Sequence, residues 1–133
     1  MNHESSFNRG NRPDAEACTE NIGAVKDALY VLNGKWKLPI IIALADGPKR
    51  FKELQRTVTG ITPKILSKEL KEMELNEFVT RTVYDTMPVS VEYTLTTYSD
   101  SLHEVISALR DWGLQHRKRI KASYKKARTI TNG

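Results

Sequence analysis

The sequence predicts an α+β fold that is mainly helical. Apolar residues recur at helical spacing from about residue 20 to residue 75. The period then changes from about 3.6 to about 2 for two short segments, and a long helical pattern follows them. The chain has 133 residues, of which 39% are hydrophobic and 28% charged, as is typical of one soluble globular domain.

Two helices are predicted in the first third of the chain. The first begins near Glu20 and ends at Asn33-Gly34, because both residues tolerate the left-handed backbone that terminates helices. The second covers about 35–45 and is apolar nearly all round, which predicts burial on most sides. Pro39 lies in its first turn or just past it, where a missing N–H is tolerated.

Two more helices follow, joined by a tight turn that contains glycine. The Asp46-Gly47-Pro48 turn precedes a short third helix, which ends before Thr59-Gly60. Thr62 is a candidate N-cap for a fourth helix over about 63–75, with proline at its first helical position. A short helix, a tight turn and a second helix describe a helix-turn-helix.

A hairpin and a long helix complete the pattern. Residues 79–84 and 89–95 alternate between apolar and polar side chains, and 85–88 form the turn between them. A hairpin directly after a helix-turn-helix is a wing, so the order of elements predicts a winged helix-turn-helix. The last helix is expected over about 98–127.

These patterns also predict the limits of the domain. Residues 1–18 are polar and are expected to form a flexible arm. The winged helix-turn-helix domain is expected over 19–128, and 129–133 form a short tail.

The predicted fourth helix carries chemically different faces. Leu66, Leu70 and Met73 fall within about 60° of one another, whereas three lysines and a serine lie on the opposite side. In the major groove, lysine reaches guanine acceptors or phosphate, and serine contacts either. With neighbours from the preceding helix and the first strand, the predicted residues that contact double-stranded DNA are Lys49, Arg50, Thr62, Lys64, Ile65, Ser67, Lys68, Lys71 and Arg81.

Other interpretations of this cationic face stay open. The lysines also fit an ordinary solvated helix surface. The main alternative is a winged-helix protein–protein module, in which the lysine face meets an acidic partner. The tip of the wing carries no cation, so groove contact and simple packing are both possible for it. The basic segment 116–128 is either an added phosphate contact or a solvated helix end.

Composition and motifs exclude several classes of function. The net charge of +5 suits a polyanionic partner but is weak support alone. We expect a cytoplasmic protein without a membrane partner, because no signal peptide is recognisable and the longest apolar run, 38–45, is too short to span a bilayer. No HExxH, GxSxG or P-loop pattern occurs, so neither an enzyme nor a cofactor or metal site is predicted.

Several short motifs occur in a specific order along the chain. Together they resemble the HxlR-type winged-helix transcription regulators of bacteria, relatives of the MarR-like regulators, over residues 18–113. The motifs are Gly34-Lys35-Trp36, Asp46-Gly47-Pro48, Arg50-Phe51-x-Glu53-Leu54, Gly60-Ile61-Thr62-Pro63-x-x-Leu66-Ser67, Leu70-Lys71-Glu72-Met73-Glu74, Arg81-x-Val83-Tyr84, Pro88-Val89-x-Val91-Glu92-Tyr93-x-Leu95-Thr96 and Leu109-x-x-Trp112.

The resemblance implies a homodimer that presents two recognition helices to a palindromic site. The first and last helices, about 19–33 and 98–127, are then the dimer interface. The last helix independently carries more apolar surface than a small core would use, although closing the monomer core is the alternative.

The single cysteine and three departures from the family pattern complete the comparison. Some members sense oxidants through an N-terminal cysteine, and Cys18 occupies that position. A helix N-terminus favours the thiolate, whereas nearby carboxylates disfavour it, so a redox sensor and an inert thiol are both open. Thr19 replaces the usual proline, Ser90 replaces a frequent cation of the wing, and Pro39 is not typical.

Overall fold

The computed structural model describes residues 15–132, with side chains as far as residue 128. The order of elements confirms the α+β, mainly helical, winged helix-turn-helix fold. In chain order they are α1 (Ala15–Val31), α2 (Lys37–Ala45), α3 (Phe51–Thr57), α4 (Pro63–Leu75), β1 (Val79–Tyr84), β2 (Ser90–Leu95), a 3₁₀ helix (Tyr98–Leu102) and α5 (His103–Asn132).

The bounds of the two terminal helices differ from the predicted ones. The predicted start of the last helix, Tyr98–Leu102, is a 3₁₀ helix, and α5 itself begins at His103. Helix α1 begins at Ala15, not near Glu20, so residues 15–18 of the expected flexible arm are helical. The segment from Ala15 to Ile22 has neither glycine nor proline, and nothing in it stops a helix. Helix α5 likewise continues through most of the expected tail, to Asn132. Residues 1–14 of the arm lie outside the described residues.

The chain divides into two units, one that ends at Lys37 and one that begins at Leu38. In the first unit, Gly34 has a φ of +80°, as expected for the predicted helix stop. The Lys37 ammonium donates a hydrogen bond to Asn33 Oδ1 at 3.1 Å. None of the residues of α1 is buried. Its large apolar residues that are more than half exposed are Ile22, Val25, Leu29 and Tyr30.

The core of the second unit is built by α2, α3 and α4. Its largest fully buried side chains are Ile40, Leu54, Leu66, Leu70 and Met73. Removing such a side chain from water stabilises a fold by about 1.5–3 kcal/mol. The predicted burial of α2 is found, because most of its apolar side chains are in the core.

Local chemistry fixes the turn and the start of α4. Gly60 adopts a φ of +90°, which a glycine reaches without strain. The backbone N–H of Ile65 donates to Thr62 Oγ1 at 3.3 Å, and Pro63 takes the first helical position. The predicted N-cap is therefore confirmed.

The wing is attached to the helices at its base. Strands β1 and β2 are antiparallel, from the pair Val79 and Leu95 to the pair Tyr84 and Ser90. The loop before α3 also joins the sheet: Lys49 N donates to Tyr93 O at 3.0 Å, and Tyr93 N donates to Lys49 O at 2.8 Å. These bonds fix the start of α3 beside β2.

Helix α5 starts at the base of the wing. There the rings of Phe78 and Tyr98 stack with centroids 5.5 Å apart. The helix has 30 residues and is therefore about 45 Å long. All residues from Leu114 to Arg128 are exposed. None of the described helices combines the length and hydropathy that a membrane span needs.

Candidate nucleic-acid interface

The outer face of α4 consists of polar and cationic side chains. Lys64, Ser67, Lys68 and Lys71 are all exposed, whereas Ile65 is half-buried at the edge of this face. On the opposite side, α4 buries Leu66, Glu69, Leu70 and Met73. The apolar side attaches the helix to the core, and the predicted DNA-contacting side is left in solvent.

Lys68 has an acidic neighbour on its own helix. Its ammonium lies 3.9 Å from a carboxylate oxygen of Glu72, one turn further on, and the Lys68 side chain is 74% exposed. Exposed pairs of this kind contribute about 0.2–0.5 kcal/mol. A phosphate group can therefore replace Glu72 as the partner of Lys68 at little cost.

A groove between α4 and the wing brings together three of the predicted residues. Ser67, Lys71 and Arg81 line a cavity of about 390 Å³, together with Leu70, Glu74 and Tyr93. Arg81 pairs with Tyr93 across the sheet and lies on the same strand face as the buried Val79. The cationic face of α4 thus continues onto β1.

A second cavity, of about 610 Å³, lies between α3 and the start of β2. Its charged residues are Arg50, Lys52, Arg56 and Glu53, and Glu53 accepts a hydrogen bond from Arg50 N at 2.9 Å. Arg56 was not predicted. It follows Lys52 by four residues, so both lie on one face of α3, and this spacing is the signal that sequence analysis missed.

Two predicted residues have structural contacts of their own. The ammonium of Lys49 lies 3.4 Å from Asp46 Oδ2, and the Lys49 side chain is only 15% exposed. The hydroxyl of Thr62 caps α4. Neither residue lines the two cavities, in contrast to Arg50, Lys71 and Arg81.

The tip and the polar face of the wing differ from its Arg81 face. Tyr84 Oη donates to Glu92 Oε1 at 3.2 Å, and this carboxylate raises the pKa of Tyr84 above its ordinary value of 10.0. Met87 at the tip is fully exposed, next to Asp85. The positive charge of the wing is therefore concentrated at Arg81, not at its tip.

The remaining candidates for a site are the single cysteine and clusters of metal-ligating side chains. The thiol of Cys18 is exposed within the first turns of α1, not ahead of the helix as expected. Among the described residues, no group of three or more His, Cys, Asp or Glu side chains is arranged to hold a metal ion.

Residues 31–121 match the family model described as HxlR-like helix-turn-helix. The HTH-type transcriptional regulator YtcD of Bacillus subtilis (strain 168) is 39% identical over 97 residues, 73% of this chain and 77% of the relative. The HTH-type transcriptional regulator YodB of the same organism is 42% identical over 91 residues, 68% of this chain and 81% of the relative.

Solved structures agree with the match to this family model. The reduced form of the transcriptional regulator YodB from B. subtilis superposes with a TM-score of 0.62 at 42% identity, and the match covers 68% of this chain and 88% of that one. The redox regulator HypR in its reduced form gives a TM-score of 0.69 at 34% identity, with 74% and 98% covered.

Proposed function

The chain belongs to the HxlR-like helix-turn-helix family of transcription regulators, and we propose that it acts as a homodimer on a palindromic operator, with α4 in the major groove. The observation that carries this proposal is the division of α4 into a buried apolar face and an exposed cationic one. Such a helix is held rigidly while its lysines stay available to DNA.

Each cationic group has a role in this arrangement. Lys64, Ser67, Lys68 and Lys71 lie on the exposed face of α4, where they meet base edges or phosphates. Arg81 extends the contact from α4 to the backbone beside the groove. The flanking phosphates are bound by the cations of the α3 cavity, which are Arg50, Lys52 and Arg56.

The remaining predicted residues contribute at the edges of this interface. The N-terminus of α4, where Thr62 and Ile65 lie, is the positive end of the helix dipole, which favours a phosphate. Lys49 adds positive charge beside the start of α3, within reach of Asp46.

The dimer is supported by the apolar face of α5. Val105, Leu109, Trp112 and Ile120 are 42–64% exposed and fall within about 80° of one another around the helix. Trp112 is stacked on His116, with ring centroids 4.9 Å apart, which presents one flat surface. Exposed apolar patches of this kind mark interfaces. A second copy would cover this face, as well as the exposed apolar side chains of α1.

Operator binding by Lys71→Ala and Arg81→Ala variants tests the DNA-reading surface. A lost base contact weakens binding by about 1–3 kcal/mol, and a lost phosphate contact lowers the salt slope by about one. The control is Arg119→Ala, which removes an exposed cation of α5. The operator would come from genome-wide mapping of bound sites, and affinity from anisotropy titrations.

Two results would count against this proposal. If neither substitution changed affinity or specificity, the face assigned to DNA would be wrong. If the wild-type protein showed no salt-sensitive, sequence-selective binding to genomic fragments, the protein–protein module would be the better explanation of the lysine face.

We infer that the protein has a second function, in which Cys18 makes operator binding respond to thiol oxidants. The thiol is exposed, and oxidants and partner thiols can therefore reach it. Among the similar structures are the oxidized form of the redox regulator HypR and a diamide-treated YodB. Since this chain has one cysteine, oxidation by diamide would join Cys18 to a thiol of another molecule, such as the second protomer.

A further inference from the structure

All of the net positive charge of the protein lies in the last part of α5. Residues 112–132 contain seven lysines and arginines and no aspartate or glutamate. Since the whole chain carries +5, the rest of it is net negative by two charges. A helix dipole favours cations only in the last turn, whereas these extend over about three turns. The seven are Arg117, Lys118, Arg119, Lys121, Lys125, Lys126 and Arg128.

Five of these cations form one continuous surface, which we call the basic face of α5. At about 100° per residue, they fall within about 100° of one another, and between residues 117 and 128 no other residue lies in this sector. The centre of this sector lies about 150° from the centre of the apolar face, so most of the basic face stays in water when a second copy covers the apolar one. The five are Arg117, Lys118, Lys121, Lys125 and Arg128.

The basic face is separate from the candidate nucleic-acid interface. Its first cation, Arg117, lies 14 residues into α5, about 21 Å from the start of the helix at the base of the wing. None of its cations lines the cavities that contain Arg50 or Arg81. The family match ends at residue 121, so Arg128 and its neighbours extend the basic face beyond the shared region.

We propose that the basic face of α5 binds the phosphate backbone of a second segment of duplex DNA, without reading its sequence. The five cations of the basic face, over residues 117–128, correspond to one charge per about 3.3 Å of helix, close to the one phosphate charge per about 3.4 Å along one strand of the duplex. The face has no apolar or aromatic side chain that would insert into a bilayer or form the centre of a protein interface. A polyanion of continuous charge fits it best.

Two double variants of the full-length protein test this proposal. One is K121Q/R128Q and the other is R119Q/K126Q. Both remove two positive charges from exposed positions of α5, but only the first pair lies on the basic face. Binding to a random-sequence duplex is measured by anisotropy over a range of salt concentrations. We expect the first pair to lower the salt slope by about 1.8 per protomer, and the second to leave it as in the wild type.

The binding losses of the two double variants are compared to decide whether the basic face itself binds DNA. Equal losses for both pairs would overturn the proposal, because only net charge would then matter. Unchanged binding for both would overturn it as well. Circular dichroism checks that the variants keep α5, since glutamine is a good helix former.

A capture experiment tests whether the DNA is a second segment. Operator duplex is immobilised and loaded with protein, and a labelled random duplex is added. The wild type and the R119Q/K126Q variant are expected to retain the label equally, whereas the K121Q/R128Q variant should bind operator but retain less label. A failure of the wild type to retain the label while bound to operator would overturn the proposal.

The two experiments can also fail separately for this proposal and for the proposed function. If the wild type bound no operator, operator reading by α4 would fail, and the random-duplex titration would still decide the role of the basic face. Binding to phosphatidylglycerol vesicles that K121Q with R128Q abolishes, without any change in the DNA salt slope, would overturn the proposal in favour of a membrane surface.

Discussion

At the scale of single residues, the neighbours of a lysine decide what it can contact. Lys49 is largely buried beside Asp46, Lys68 lies exposed near Glu72, and Lys71 lines a cavity with Arg81. The three side chains are chemically identical. Only Lys71 shares a concave surface with a second cation, and for this reason we expect it to contribute most to DNA binding.

The second prediction for a single residue concerns Cys18. Diamide treatment of the wild type is expected to change operator affinity, because the exposed thiol can be oxidised. Cys18→Ser should be insensitive to diamide while it binds operator as the reduced wild type does. Operator affinity is measured before and after treatment, and again after dithiothreitol, which should restore it.

An inert thiol would give a different pattern. Operator binding by the wild type would not respond to diamide or peroxide, or the Cys18→Ser variant would respond equally. Either result would assign the cysteine no part in regulation.

At the scale of elements, α4 is both a part of the core and the proposed DNA-reading surface. Leu66 is fully buried, whereas Leu75 on the same helix is 79% exposed. The helix therefore offers a matched pair of leucines for measuring how strongly its apolar face is anchored. Since Thr62 and Pro63 fix where the helix begins, the side chains that follow have a defined orientation.

Leu66→Ala is expected to lower the free energy of unfolding by about 2–5 kcal/mol, because it leaves a cavity in a closed core. Leu75→Ala should change it by less than about 0.5 kcal/mol. Urea denaturation of the two variants measures the difference. Similar effects of both substitutions would contradict the assignment of the buried face of α4.

At the scale of the whole molecule, the proposed dimer depends on the exposed apolar face of α5. Leu109 and Leu114 are 52% and 49% exposed, respectively, but they lie about 140° apart around the helix. Only Leu109 belongs to the apolar face that contains Trp112. Substituting each leucine by glutamate therefore distinguishes the loss of an interface from the general effect of a charge on an exposed helix.

Leu109→Glu is expected to convert the proposed dimer into monomers, because a carboxylate would be buried in the interface without a partner. Leu114→Glu should leave the dimer intact. Sedimentation velocity measures the oligomeric state. Operator affinity should fall when dimerisation is lost, because the two half-sites would then be bound independently. A monomeric wild type, or dimers of both variants, would rule out this interface.

Much of the fold followed from local pattern. The change of period near Glu77, the cap at Thr62 and the stop at Gly34 depend on neighbouring residues alone, so the sequence predicts them correctly. The predicted positions of the start of α1 and of the end of α5 were wrong, because no strong stop signal lies there and the helices extend further.

The sequence by itself determined the order of elements and the two faces of α4, because helical and strand periods are local properties. Only the tertiary structure decided which cations meet. Arg81 lines the groove beside Lys71 because the wing packs against α4, and residues 89–91 of the wing complete the cavity that contains Arg50 and Arg56. Each cavity combines a helix with the wing, and no local pattern encodes that packing.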